Sequence, residues 1–161
     1  MDVIARLKRE LAFNVWANRE MMGSLHAAKQ IPARAMEVLG HMIAAENLWL
    51  KRMGKAGPDI LVWPTLSLAD CDKQMSLLSQ RWKSLAEELT ISDLEKRIQY
   101  VNSKGETWEN SVIDILTHVV IHAGYHRGQI ASFLGRSGEK AALTDYIECS
   151  RRGYVDTGWP E

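Results

Sequence analysis

The chain has 161 residues, 46% hydrophobic and 25% charged, a balance that suits one soluble globular domain spanning 1–161 and excludes a disordered chain. Lys plus Arg and Asp plus Glu both number 20, so no overall basic field attracts nucleic acid, and no nucleic-acid partner is expected. No apolar run approaches the ~18 residues of a membrane span, so no membrane partner is expected either.

Four long segments carry helical periodicity. The first runs from about Val3 to Ala28, with Leu7, Leu11, Met21 and Leu25 on one stripe. Asn14 and Asn18 fall on that same stripe, where apolar residues are expected. Phe13 and Trp16 lie away from it, which suggests a subunit contact, with packing under the terminal segment as the other explanation. The second helix runs from about Pro32 to Met53, with Pro32 in its first turn, Gly54 as its stop, and Leu39, Met42, Trp49 and Met53 on its stripe. Only Lys29 to Ile31 separates these two helices, so they should be antiparallel neighbours. Lys55 to Leu66, with Gly57, Pro58 and Pro64, is long enough to cross the bundle end and let the next helix run parallel.

The third helix is marked by Leu68, Cys71, Met75, Leu78, Trp82, Leu85 and Leu89 at alternating spacings of three and four, behind the N-cap candidate Ser67. RIQYVNSKGETWEN then alternates around Ser103-Lys104-Gly105, the pattern of a short β-hairpin. The fourth helix runs from about Glu109 to Leu134 and stops near Gly135. A short helical segment around Leu143 to Arg151 follows, and the end through Trp159-Pro160 reads as irregular. The fold class is therefore an all-α four-helix bundle with a long crossover between helices two and three and a hairpin before helix four. The N-terminus MDVIARLKRELAFNVW is charged and amphipathic, without the apolar core of a signal peptide. Cys71 and Cys149 form no CxxC pair, and reduced thiols in a cytoplasmic protein are the plainer reading. Cys71 occupies a core position, and nothing beside Cys149 suggests a lowered pKa.

The histidines carry the chemistry. His118, His122 and His126 stand on consecutive turns of helix four, each about 40° around and about 6 Å along from the last. They share the apolar, inward face with Ile115, Val119, Gln129, Ile130 and Phe133, while Arg127 points outward to a surface ion pair or subunit contact. Inward imidazoles are costly without partners, and HxxxH lets two rings reach one ion. A further ligand must come from elsewhere; His41, on the shoulder of the second helix's stripe, is the candidate. Glu46 lies about 140° around from His41, a poor co-ligand and a buried acid that needs a histidine or asparagine partner. Gln129 either contacts a metal-bound water or makes a structural hydrogen bond. Gly128 is expected to permit close helix approach.

FNVWANREMM, LGHMIAAENLWLKRM, LTHVVIHAGYHRGQI and the late LTDYI segment, in that order over nearly the whole chain, resemble the DinB-like family of metal-binding four-helix bundles, which overlaps the YfiT-like thiol transferases. The resemblance implies a bundle with a three-histidine site of His41, His122 and His126. It also implies a divalent ion, zinc or nickel, with coordination positions open to water or substrate. His118 is then a neighbour rather than a ligand, and His118, Glu46 and Gln129 become the candidates for catalytic roles. The function implied is that of a metal-dependent thiol S-transferase acting on a small-molecule substrate such as a low-molecular-weight thiol. The alternatives are a metal-dependent hydrolase and a non-catalytic metal-binding or stress-induced protein. A homodimer is expected, since relatives often dimerise.

Overall fold

The computed structural model describes residues 1–156 and Trp159. Four long helices make the bundle: α1 (Val3–Ala27), α2 (Ala33–Arg52), α3 (Leu68–Glu88) and α5 (Val112–Arg136). Between α3 and α5 lie the short α4 (Ile91–Leu94) and the hairpin strands β1 (Arg97–Val101) and β2 (Thr107–Ser111); α6 (Tyr146–Arg151) follows. The helix starts are chemically marked. Asp2 accepts from the Ala5 amide at 2.7 Å, Ser67 and Asp70 form a reciprocal capping box, and Ser111 accepts from the Asp114 amide at 3.2 Å. The fourth long helix therefore begins later than its periodicity suggests, because Glu109–Ser111 still pair as strand with Arg97–Gln99. Gly105, at φ 80°, turns the hairpin, and the Asn102 side chain accepts from the Lys104 and Glu106 amides.

Side-chain pairs fix the topology. His41 meets His126 while Trp49 meets His118, so α2 and α5 are antiparallel. Glu46 meets Trp82 while Lys55 meets Glu88, so α2 and α3 run parallel, as the long crossover predicts. Both α1 and α2 pack against α3 and α5. The first two helices therefore face each other across the bundle diagonal instead of lying side by side, despite the short link between them. That link is held at Lys29 and Gln30, whose amides donate to the Glu139 carboxylate at 3.1 Å each.

The main core includes Leu11, Leu25, Leu39, Met42, Ile43, Leu50, Leu78 and Trp82. Burying each such side chain is worth ~1.5–3 kcal/mol. A second cluster corrects the reading of Phe13 and Trp16: they lie buried with Cys149 and Val155, and Tyr146 and Tyr154 pack on them. They are packing under the terminal segment, and the homodimer loses that support. Both cysteines are free and buried, and burial pushes each thiol up to about 11. Pro160 lies outside the described residues, and Trp159 packs against the main core. No described helix is long and apolar enough to cross a membrane.

Candidate metal centre

His41 from α2 and His122 and His126 from α5 converge, with one ligand nitrogen from each lying within 4.8 Å of the others. The ring centres are 4.9 Å apart for His41 and His126, 5.6 Å for His41 and His122, and 4.3 Å for His122 and His126. Antiparallel packing of α2 on α5 brings the rings together, and the four-residue spacing on α5 sets two of them edge to face.

The orientation of the rings is set from behind. His41 Nδ1 lies 2.9 Å from the Val62 carbonyl oxygen. A carbonyl only accepts, so Nδ1 carries a proton and Nε2 is the nitrogen left for a ligand role. His126 Nδ1 donates in the same way to Gln129 Oε1 at 2.8 Å. His126 Nε2 and His122 Nε2 are 3.0 Å apart. Two such nitrogens need one shared proton or one cation between them. Ligand nitrogens at ~2.0–2.1 Å from an ion are separated by about 2.9 Å at right angles and about 3.4 Å in a tetrahedron. The spacing fits a divalent ion.

The electrostatics agree with that donor set. Burial, then the neighbouring histidines His126, His118 and His41, hold His122 down to about 4, so the ring is neutral at physiological pH. His126 is also lowered, first by burial, against the opposing effect of its hydrogen bond to Gln129. Neutral imidazole is the ligating form.

The crossover between α2 and α3 forms one wall that the sequence reading missed. Trp63 stacks on His41 with ring centres 4.0 Å apart and planes 10° from parallel. Gly40 makes this possible: a Cβ there would sit 2.9 Å from the Pro64 carbonyl oxygen. The available signal was a glycine beside the ligand histidine and a tryptophan in a proline-bearing loop. The expected role of Gly128 does not hold, since a Cβ there would meet nothing within 4 Å.

His118 does not share the interior. It is exposed, with its ring 5.1 Å from that of His122 and 5.3 Å from that of Trp49. The histidine ladder thus runs from buried His126 through half-buried His122 out to solvent at His118. The face also carries Ile121 and Tyr125, both exposed.

Arg127 is the largest correction. It is 1% exposed, not outward-facing. Its Nη1 donates to Asn14 Oδ1 and Asn18 Oδ1, both at 2.7 Å. The amide nitrogens of the same two asparagines donate to Glu46 Oε1 at 3.1 and 2.9 Å, and Trp82 Nε1 donates to Glu46 Oε2 at 2.6 Å. A buried guanidinium and a buried carboxyl group therefore face each other through two aligned amides, which span the diagonal from α1 to α2. Burial alone raises the Glu46 carboxyl, and the amides, the indole and Arg127 pull it back. Burial takes Arg127 down to about 10 against the pull of Glu46. The asparagine partners of Glu46 were anticipated; their common partner was not. Leu116, Ala123, Arg127 and Leu134 share a buried stripe facing α1, and that spacing was the overlooked signal. A cavity of about 500 Å³ between α1 and α3 reaches Asn18, Glu46 and Trp82 on the side away from α5, and no histidine lines it.

The sequence model of the DinB family matches residues 11–152, from α1 through α6. The chain is also similar to "Protein DinB" of Bacillus subtilis (strain 168), with 27% identity over 150 residues covering 83% of this chain and 87% of that protein. No solved structure matches.

Proposed function

The chain belongs to the DinB family, and from that premise we propose that it holds one divalent ion, zinc or nickel, on His41, His122 and His126 and works there as a thiol S-transferase on a small-molecule substrate. The observation that carries this reading is the convergence of three imidazoles, two of them oriented by an acceptor on the far nitrogen. Three neutral ligands leave an ion's charge uncompensated and leave it at least one open position. When bound, such an ion supplies Lewis acidity, which makes a coordinated thiol or water more acidic.

The residues of the chain do the rest. Val62 and Gln129 hold the His41 and His126 rings, so each presents Nε2 to one point. Trp63 covers one side of His41 and keeps water from it. His118, at the solvent end of the ladder with its ring 5.1 Å from that of His122, is placed to take a proton from an entering thiol. Gln129 acts as a positioning residue. Glu46, whose hydrogen bonds all go to Asn14, Asn18 and Trp82, positions the helices rather than touching substrate.

The test is a metal analysis of the purified protein, followed by a screen of thiols and electrophiles with the fully loaded protein. Turnover that stops on chelation and returns with zinc or nickel is the expected result. Metal-dependent ester cleavage without thiol transfer would make it a hydrolase. A flat screen would leave a non-catalytic metal-binding protein.

A further inference from the structure

Arg52 is the last residue of α2, eleven positions after His41. Eleven residues are three turns, about 20° from exact repeat, so both side chains leave α2 on the same face. The guanidinium folds back over the Trp49 ring, 4.5 Å from its centre, and lies 4.2 Å from the centre of Tyr100 on β1. Its Nη2 donates to the Val101 carbonyl at 3.0 Å. Trp49 in turn touches His118, which touches His122. The cation therefore stands two rings from the ligand histidines, on the solvent side of the ladder.

What Arg52 lacks is an acid. No carboxylate lies within 4 Å of it among the described residues, and its Nε and Nη1 groups have no hydrogen-bond partner there. Arg34, the arginine on the opposite flank over Trp63, is by contrast neutralised by Glu37. Two aromatic faces and one carbonyl fix the Arg52 fork before any ligand arrives. A fixed fork with free N–H groups matches the two oxygens of a carboxylate or a phosphate.

We propose that Arg52 is a specificity-determining residue, anchoring the anionic end of a ligand whose other end occupies the open position at His41, His122 and His126. The inference rests on the metal reading above but not on the thiol chemistry. The ligand it selects is extended: a metal-binding head, a linker that passes Trp49 and His118, and a carboxylate or phosphate tail. A short anion at the ion alone gains nothing from Arg52.

The experiment uses the full chain loaded with cobalt(II), whose visible spectrum reports ligand binding without any turnover. ω-Mercaptoalkanoic acids of increasing chain length are titrated beside ω-mercaptoalcohols of the same length. Hydroxamates with and without a distal carboxylate form a second series, and ω-mercaptoalkyl phosphates separate the two kinds of anion. At short lengths acid and alcohol should bind alike. Once the chain is long enough to bridge, the acid should bind roughly 10-fold tighter, as a charge-assisted pair implies. That preference should fall below about 2-fold in Arg52→Gln, survive in part in Arg52→Lys, and weaken with salt in the wild type. Should Arg52→Gln fail to fold, the Lys variant and the salt series decide. No length-dependent preference in either series, or one unchanged in the Gln variant, overturns the proposal. Hydroxamates that show it while thiols do not bind would sink the transferase reading and leave the anchor standing. A protein that takes up no cobalt sinks both.

Discussion

Replacing Arg127 by Met tests the buried network directly. The substitution keeps much of the side-chain volume but leaves Asn14 Oδ1 and Asn18 Oδ1 without their donor and Glu46 without its cation. Breaking a buried ion pair from one side costs ~3–5 kcal/mol. The two amides between the charges soften the loss, while the guanidinium's contact with Phe13, 5.4 Å from the ring centre, adds to it. A cost of about 3 kcal/mol follows, a large share of the ~5–15 kcal/mol typical of a folded domain. Urea denaturation of chelator-treated protein measures it. Glu46→Gln should rescue part of the loss, with a coupling of ~1–3 kcal/mol in the double-mutant cycle. The pH dependence has a definite sign. Glu46 is raised by burial, so its neutral form is favoured in the fold, and stability is lost as pH rises through its folded value. Arg127 limits that loss, so the penalty of Arg127→Met should grow as pH rises through the raised folded value of Glu46 and flatten in the Glu46→Gln background. A cost below ~0.5 kcal/mol, the usual figure for a surface substitution, would refute the network. So would an additive cycle.

Elemental analysis should find one ion per chain in the wild type and in His118→Ala, and none in His122→Ala, His126→Ala or His41→Ala; full occupancy in His126→Ala would mean the site is elsewhere. Gln129→Leu removes the acceptor behind His126 and should weaken metal binding ~10–100-fold in competition with a chelator; unchanged affinity would show that the bond does not orient the ring. Gly40→Ala pushes a methyl group into the Pro64 carbonyl, so the crossover should lift from His41. Faster release of the ion to a chelator is the expected readout, and a wild-type release rate would count against the loop as a wall. With both thiols buried and held up at about 11, iodoacetamide at pH 8 should label neither Cys71 nor Cys149 until denaturant is added; labelling of folded protein would contradict their burial.

Much of the fold was legible because helical periodicity is local. The spacing from Leu68 to Leu89 marks α3 without reference to any neighbour, and Ser67 marks its start. His122 and His126 are neighbours because four residues are about one turn, whatever packs nearby. The crossover's length already implied that α2 and α3 run parallel. The resemblance named His41 as the third ligand, and the structure brings it beside His122 and His126.

Other features depended on which surfaces meet. Helix α5 is buried along two stripes, against α2 and against α1, and its periodicity does not say that the second stripe is covered. Arg127 looked like a surface residue for that reason: burying a guanidinium is favourable only where Asn14, Asn18 and Glu46 already wait, and those come from two other helices. The same holds for Phe13 and Trp16, which lie off the main stripe of α1 but under the terminal segment. Trp63 and Val62 sit on an aperiodic loop, whose path is set by what it lands on, here Gly40 and the His41 ring. The sequence by itself determined the helices and the ladder of histidines, because both follow from backbone hydrogen bonding along one segment. Only the tertiary structure decided how deep each histidine sits, what orients it, and where the buried charges find partners, because burial is a property of pairs of segments.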